Sequence, residues 1–454
     1  MKLLAFLALL LTPALAHAVP GTAEVWHADR RDGTAHYETR VRLDNGARAH
    51  VAVGQAPDVR FQHGDRVQIV DGRLERLMQR APAITGGVHR VGILVASYAD
   101  MPHPMNGADT IARFLLDFFS ANSYGALTMQ VDVLGPYKIA TKAGGCDYST
   151  IAAQTRAAAL AAKVPLWAYY HVVYAFPDSP ACPWLGYSTV GGNPSTTYVH
   201  GALAYTIYAH ELGHALGLYH SHSTANGITY EYGDTMDTMG SGWGQHFNAA
   251  QKGRLGWVTP RVVPDGTYRL TPLETTPDAL RAGDVWVALR ASVGSSGVPG
   301  VLVHLDGGPA AITLPDTTPT TSAITDPALP AGAVWAAPSG LKVKVESVTA
   351  SAATVSMALV IPPPVVVPPV LADVTATCTR VTAQAERCEA VAGPYTCART
   401  TGGVWRVSIT SPAGRASVPM PNPKRDVPYQ LRCTDTGAGA MLRVDGVTWL
   451  EVAR

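Results

Sequence analysis

Residues 209–221 read AHELGHALGLYHS. Three histidines, one glutamate and two glycines sit in an otherwise apolar run, in a chain whose charged fraction is only 15%. Taken as a helix over 202–217, ALAYTIYAHELGHALG places His210 and His214 one turn apart on the same face. Two imidazoles so placed can hold one zinc ion through ring nitrogens. Glu211 lies beside that face, within reach of water at the metal. Gly217 tolerates the positive φ that ends the helix, and the chain returns His220 as a third ligand. Three neutral imidazoles leave one tetrahedral position for water, which marks a catalytic rather than a structural zinc site.

The chemistry expected of such a centre is peptide hydrolysis by a zinc-activated water, with Glu211 as general acid/base. The pattern fixes three histidines, a glutamate and a glycine, in a chain with 15 histidines among 454 residues. Satisfied core histidines are therefore the weaker reading. A secreted binding or adhesion protein with a structural zinc site is the alternative function. The presence of Glu211 argues against it, because a structural site has no need of a carboxylate beside a water position.

The same residues carry a family resemblance. HELGHALGLYH is similar to the metzincin metalloprotease pattern, and residues 232–257, YGDTMDTMGSGWGQHFNAAQKGRLGW, resemble the gametolysin family of secreted zinc metalloproteases. SANSYGALTMQVDVLGPY, residues 120–137, is also similar to that family. The resemblance covers about residues 89–257, extends loosely to about 361, and does not reach the ends of the chain. It implies metal ligands His210, His214 and His220, a single catalytic zinc ion, Glu211 as acid/base and a protein or peptide substrate. It also implies that Met239 is the methionine of a Met-turn beneath the metal. Met236 is the rival, and Gly240 after Met239 decides between them. Ser241 stands two residues after Met239, so an astacin-like switching tyrosine is not evident.

The remaining residues divide the chain. Residues 1–18, with Lys2 before an apolar run and Ala16-His17-Ala18 at its end, read as a signal peptide, so a secreted protein is expected. Residues 19–85 alternate in short runs with turns at Asn45-Gly46 and Asp71-Gly72, and read as a small β domain. Its position suggests a propeptide, with a plain accessory domain as the alternative. No cysteine precedes Cys146, so a propeptide thiolate cannot block the metal; His63 and Asp65 are candidates for that role, against a reading as surface loop residues.

Residues 86–260 alternate strand and helix and predict an α/β catalytic domain. Residues 261–360 read as a β-sandwich, 361–370 as a proline-rich linker and 371–454 as a cysteine-containing β module. The fold class expected is thus α+β multidomain, a metzincin-like α/β catalytic domain with a zinc-binding helix, flanked by β-rich domains.

Six cysteines in a secreted chain predict disulfides, Cys146 with Cys182 and the pairing of Cys378, Cys388, Cys397 and Cys433 left open. A net charge of +1 without a basic stripe argues against nucleic acid as a partner. The apolar stretch at 358–372 is broken by five prolines, so no stable membrane insertion is expected. A monomer is expected, although nothing in the sequence fixes the oligomeric state. His222 reads as exposed, Lys252 and Arg254 as solvated, Asn248 as an N-cap, and Asp234 and Asp237 as turn-holding residues. Residues 187–201 are a candidate for part of the substrate-binding region.

Overall fold

A computed structural model describes residues 19–453 apart from 55–59, 71–72, 80–84, 104–106, 202–203, 294–296, 319–325, 360–371, 380–386, 402–404, 412–413, 420–427, 437–438 and 446. The leader at 1–18 and the proline-rich linker at 361–370 lie outside the described residues. The chain divides into a unit over Met1–Val360 and a second over Ile361–Arg454.

The first unit is built on a ten-stranded sheet. Strands β1 (Val19–Arg30), β2 (Ala35–Leu43), β3 (Arg48–Gly54), β4 (Arg66–Val70) and β5 (Arg73–Met78) come from the N-terminal region. They are followed by β6 (Gly87–Ser97), helix α1 (Ala108–Asn122), β7 (Leu127–Lys138), helix α2 (Tyr148–Ala161) and β8 (His171–Phe176). The sheet is completed by β9 (Trp184–Thr189) and β10 (Ser195–His200), and its order is β3-β2-β1-β9-β10-β8-β6-β7. The β10, β8, β6 and β7 neighbours run parallel, whereas β9 runs antiparallel to both β10 and β1.

The parallel strands are nearly continuous apolar runs because both faces are covered. In β6, Val91 to Ser97 are all buried. On one face α1 buries Ile111, Leu115, Phe118 and Phe119, spaced i, i+4, i+7 and i+8 to form one apolar stripe. On the other face α2 starts at Asp147, whose carboxylate accepts from the Thr150 N–H at 3.0 Å. Cys146 and Cys182 are bonded beside it. The chain-entropy model gives a closure of 36 residues roughly 4 kcal/mol.

Helix α3 (Tyr205–Ala215) lies on the α1 side and is buried from Tyr208 to Ala215. After it come β11 (Ser221–Ala225), β12 (Ile228–Tyr230) and the short helix α4 (Ala249–Arg254), capped by Asn248. β11 pairs in parallel with strand Ile312–Pro315, so the segment after α3 joins a seven-stranded sheet made mostly of residues beyond 260. That sheet shares a core with a four-stranded one, through residues such as Leu280, Val287 and Val303 on one side and Val343, Val345 and Val355 on the other.

The second unit carries two four-stranded sheets and a core including Tyr395, Ile409, Leu431 and Leu442. Cys397 and Cys433 are bonded within it.

The expected α+β class, with an α/β metzincin-like domain at its centre, is not what the chain adopts. Among the described residues twenty-nine strands stand against four α-helices, one of which has six residues. Single strands alternate with helices from β6 to β8, and after that α3 and α4 each stand between runs of strands. The N-terminal strands extend that same sheet rather than stand apart from it. Trp184–Thr189 and Ser195–His200 form strands β9 and β10, and from Arg261 onward the regular elements among the described residues are all strands. Those later segments are short runs rich in valine, threonine and alanine between glycine and proline turns, which suit pleated surfaces and not helices.

Candidate active site

The sequence between Ala204 and Ser221 folds as one device. Helix α3 presents His210 and His214 one turn apart. Leu216 caps it, and Gly217 takes φ +103, with no atom within 4 Å of where a Cβ would be. Gly217 N–H donates to His214 O at 2.7 Å and Leu218 N–H to Gly213 O at 3.1 Å, closing the helix so that His220 turns back beside it. The three rings then sit with centroids 4.9, 5.3 and 5.1 Å apart. All three are buried.

Each ring is held from behind. His210 Nδ1 bonds to Thr238 O at 2.6 Å, His214 Nδ1 to Leu218 O at 2.8 Å and His220 Nδ1 to Glu231 Oε1 at 2.7 Å. Carbonyl and carboxylate oxygens only accept, so each Nδ1 carries a proton, which leaves Nε2 of each ring as the atom free to face the interior of the cluster. Glu231 is itself fixed by the Tyr37 hydroxyl, which donates to Oε1 at 3.0 Å. Burial works to raise the Glu231 pKa, but the bond from His220 outweighs it and holds the carboxyl below its ordinary range.

The Nε2 atoms face one carboxylate, that of Asp29 on β1. His220 Nε2 is 3.0 Å from Oδ1, His210 Nε2 3.3 Å from Oδ2 and His214 Nε2 4.0 Å from Oδ2. His210 Nε2 and His214 Nε2 are buried without a hydrogen-bond partner. Burial opposes ionisation of Asp29, yet His210 and His27 hold its pKa well below the carboxylate range. Two buried Nε2 atoms without a hydrogen-bond partner and a buried carboxylate thus point at one place. A metal ion satisfies all of them together, and imidazole with carboxylate is a donor set that suits zinc.

His27, two residues before Asp29 on the same strand face, adds to the cluster. His27, Asp29, His214 and His220 each offer a ligand atom, all within 4.8 Å of one another. The His27 ring packs 4.2 Å from that of His214 and 4.3 Å from that of His220. Burial and then His214 lower its pKa well below the imidazole range.

Glu211 is fully buried, with neither carboxylate oxygen hydrogen-bonded within the site. Burial, and next the charge of Asp29, raise its pKa well above the ordinary value. A Cβ on Gly186 would lie 1.7 Å from Glu211 Oε1, so the β9 backbone is in direct contact with this carboxylate.

Beneath the helix lies Met239. It is fully buried, and its Sδ would be 2.4 Å from a Cβ on Gly213. Met236 packs elsewhere, with Val293, Leu302 and Leu314. The turn is pinned by two buried carboxylates. Asp237 Oδ1 accepts from Met239 N–H and Oδ2 from Asn248 N–H, both at 2.6 Å. Asp234 accepts from Met236 N–H at 2.8 Å, Ser221 Oγ at 2.7 Å and His304 Nε2 at 2.9 Å. Thr238 between them supplies the carbonyl that orients His210, so the turn around Met239 and the histidine cluster are one hydrogen-bonded assembly.

The sequence matches the model of the gametolysin peptidase family, M11, over residues 105–366, more than half the chain. The chain belongs to the gametolysin peptidase family. A peptidase acts on protein or peptide substrates. No curated protein matches this gametolysin-family chain. Among solved structures it is similar to one described as the structure of a chaperone–substrate complex, at 12% identity and a TM-score of 0.24. That alignment covers 43% of this chain and 32% of the other.

Four residues of the gametolysin-family site were not singled out from the sequence: His27, Asp29, Glu231 and Tyr232. Tyr232 packs on His220 at 4.0 Å between centroids and donates its hydroxyl to Asp29 Oδ1 at 2.8 Å. A pair spaced i, i+2 in an alternating run, His27 and Asp29 in AEVWHADR, was the available signal. The two earlier candidates for a blocking group are engaged elsewhere. Asp65 accepts from Gln62 N–H at 2.9 Å and Arg76 Nε at 2.8 Å, and His63 lies against Trp26.

His222 is buried, not exposed, with Nε2 3.1 Å from Ala310 O. Lys252 is also buried, against the Tyr124 hydroxyl at 3.1 Å, and Arg254 pairs with Asp306. They belong to a helix that packs beneath the strands beyond 260, where Gly253 meets Trp286.

Proposed function

We propose that the chain is a secreted, zinc-dependent endopeptidase with Glu211 as general acid/base. One observation carries the reading: three buried imidazoles, each held at Nδ1 from behind, turn their Nε2 atoms toward a common point beside the buried carboxylate of Glu211. Zinc, when bound, supplies Lewis acidity toward water and the scissile carbonyl. His210, His214 and His220 would hold it, with Thr238 O, Leu218 O and Glu231 fixing their tautomers.

Glu211 takes a proton from the attacking water and delivers it to the leaving amine. Its burial makes it a stronger base than a solvated carboxylate. The β9 backbone at Gly186 limits where that carboxylate can go, so its oxygens stay aimed at the reacting water. The substrate enters extended, adding a strand to β9, with main-chain bonds supplying affinity.

Secretion is supported by the signal-like leader and by the disulfides Cys146–Cys182 and Cys397–Cys433. No helix among the described residues is long and apolar enough to cross a membrane.

Metal analysis tests the reading. The purified chain should hold one zinc ion and lose it to a chelator; after limited proteolysis, with the added protease inhibited, cleavage of labelled casein should be lost with the metal, and zinc should restore both. A chain that cleaves casein at an undiminished rate after complete metal removal contradicts the proposal.

A further inference from the structure

Strand β1 lies where a substrate would lie. β9 pairs with β10 on one edge, and its other edge is taken by β1, antiparallel, in the register Trp26↔Thr189, His27↔Ser188, Ala28↔Tyr187 and Asp29↔Gly186. Apart from β1, that edge of β9 is the one beside Glu211 where a peptide could add. The pairing bulges between Asp29 and Arg30, opposite Gly186, and there the chain directs a carboxylate among the three histidines.

We infer that Asp29 is a fourth protein ligand of the metal and that β1 holds the full-length chain latent. The inference rests on the metallopeptidase reading above. Two atoms that each bond a tetrahedral zinc at about 2.0–2.1 Å stand about 3.3–3.4 Å apart. Asp29 Oδ2 lies 3.3 Å from His210 Nε2 and 4.0 Å from His214 Nε2, and Oδ1 lies 3.0 Å from His220 Nε2, so the carboxylate reaches all three rings at about the spacing of neighbouring ligands.

Asp29 is held in place from several sides. Tyr232 donates to Oδ1 at 2.8 Å, His27 Nδ1 is 3.5 Å from the same oxygen, and β2 pairs with β1 from Gly21 to Asp29, Asp29 facing Ala35. A metal with four protein ligands has no position for water, and β9 with β1 on its edge has none for a peptide. Activation therefore requires β1 to leave, exchanging one carboxylate oxygen for one water, with no change in oxidation state.

The test uses the full chain carrying Glu211→Gln, so that it cannot cut itself, with and without Asp29→Asn. Both are loaded with cobalt(II), and the visible spectrum reports the ligands. Acetohydroxamate, a small metal-binding probe, is then titrated in. The expected result is a different spectrum in the Asp29→Asn chain and tighter probe binding there. If Asp29 occupies the position at least nine-tenths of the time, the gain is about tenfold or more.

Identical spectra and equal probe affinity overturn the inference while leaving the metal reading intact. Failure of both chains to take up cobalt overturns the metal reading and the inference with it. Should Asp29→Asn not fold, judged by its thermal melt, the Asp29 chain still decides. Resistance to the probe until β1 is removed by limited proteolysis supports latency, and ready binding to the uncut chain overturns it.

Discussion

Asp29 Oδ1 and His220 Nε2 stand 3.0 Å apart although 191 residues separate them in sequence. On its other side the same ring meets Glu231 at 2.7 Å. His220 thus lies between two carboxylates, one from the N-terminal strand and one from the segment that follows β12. Burial disfavours the charged ring, but hydrogen bonding to Asp29 and then Glu231 raises its pKa above the ordinary imidazole value. The two carboxylates differ in purpose: Glu231 supports the ring from behind, and Asp29 stands where the reaction must take place.

Glu231→Gln removes the charge behind His220 and keeps the shape. The expected outcome is a metal affinity lower by about 10–100-fold, read by chelator competition. Tyr37→Phe, which removes only the hydroxyl that donates to Glu231, should shift affinity in the same direction by less. Equal affinities in wild type and Glu231→Gln would show that this carboxylate does not tune the ligand.

Gly186→Ala should uncouple chemistry from metal binding. The added Cβ would fall 1.7 Å from Glu211 Oε1 and 2.2 Å from its Cδ, so the carboxylate or β9 must move. A displacement of that order can cost about 10²-fold in turnover. Casein cleavage should fall by at least about tenfold, with zinc content unchanged. Unaltered turnover would mean that Glu211 need not be where it is found.

Gly213→Ala tests the floor of the site. Its Cβ would meet Met239 Sδ at 2.4 Å within a close-packed core, and overpacking of this kind costs about 1–3 kcal/mol. Chemical denaturation should show that loss. Adding Met239→Ala should recover part of it, because the clash goes with the thioether. A double variant no better than the sum of the two single ones would place the strain elsewhere.

Lys252 gives a pH dependence away from the histidine cluster. Burial, and next Arg290, lower its pKa from 10.5 to about 7. Between about 7 and 10.5 the unfolded chain binds the proton that the folded chain has released, so this group adds stability as pH rises through that window. Below about 7 the buried charge persists and the gain is gone. Lys252→Met should therefore raise the melting temperature relative to wild type most at pH 6, with the gap narrowing toward pH 10. A gap independent of pH would mean that the amine is not strained by burial.

What could be read from the sequence and what could not divide along the range of the contacts. His210, Glu211, His214, Gly217 and His220 lie within eleven residues of one helix and its exit turn, so spacing alone brings them together. Asp237 and Met239 follow on a turn whose short polar side chains bond their own backbone, again a local signal. Asp29 and His27 reach the same point through a strand pairing with β9 more than 150 residues on, which no local pattern encodes.

The α+β expectation failed for a related reason. The α1 and α2 segments are amphipathic and alanine-rich, and they do form helices. The sheet they cover, however, is extended by strands from before residue 80 and after residue 183, and among the described residues strands far outnumber helices in the rest of the chain. Lys252 shows the limit at one residue, since a lysine in a short helix reads as solvated until the strands that cover it are known.

The central claim is that this centre hydrolyses peptide bonds with Glu211 as its base. The most direct measurement offers labelled casein to wild type and Glu211→Ala, each also after removal of β1 by limited proteolysis, the added protease then inhibited, so that a latent site cannot mask activity, with zinc measured on all four. The account predicts zinc in all four and cleavage only where Glu211 is present, a difference of at least about 10²-fold. Zinc in all four with equal cleavage, or with none, would contradict it.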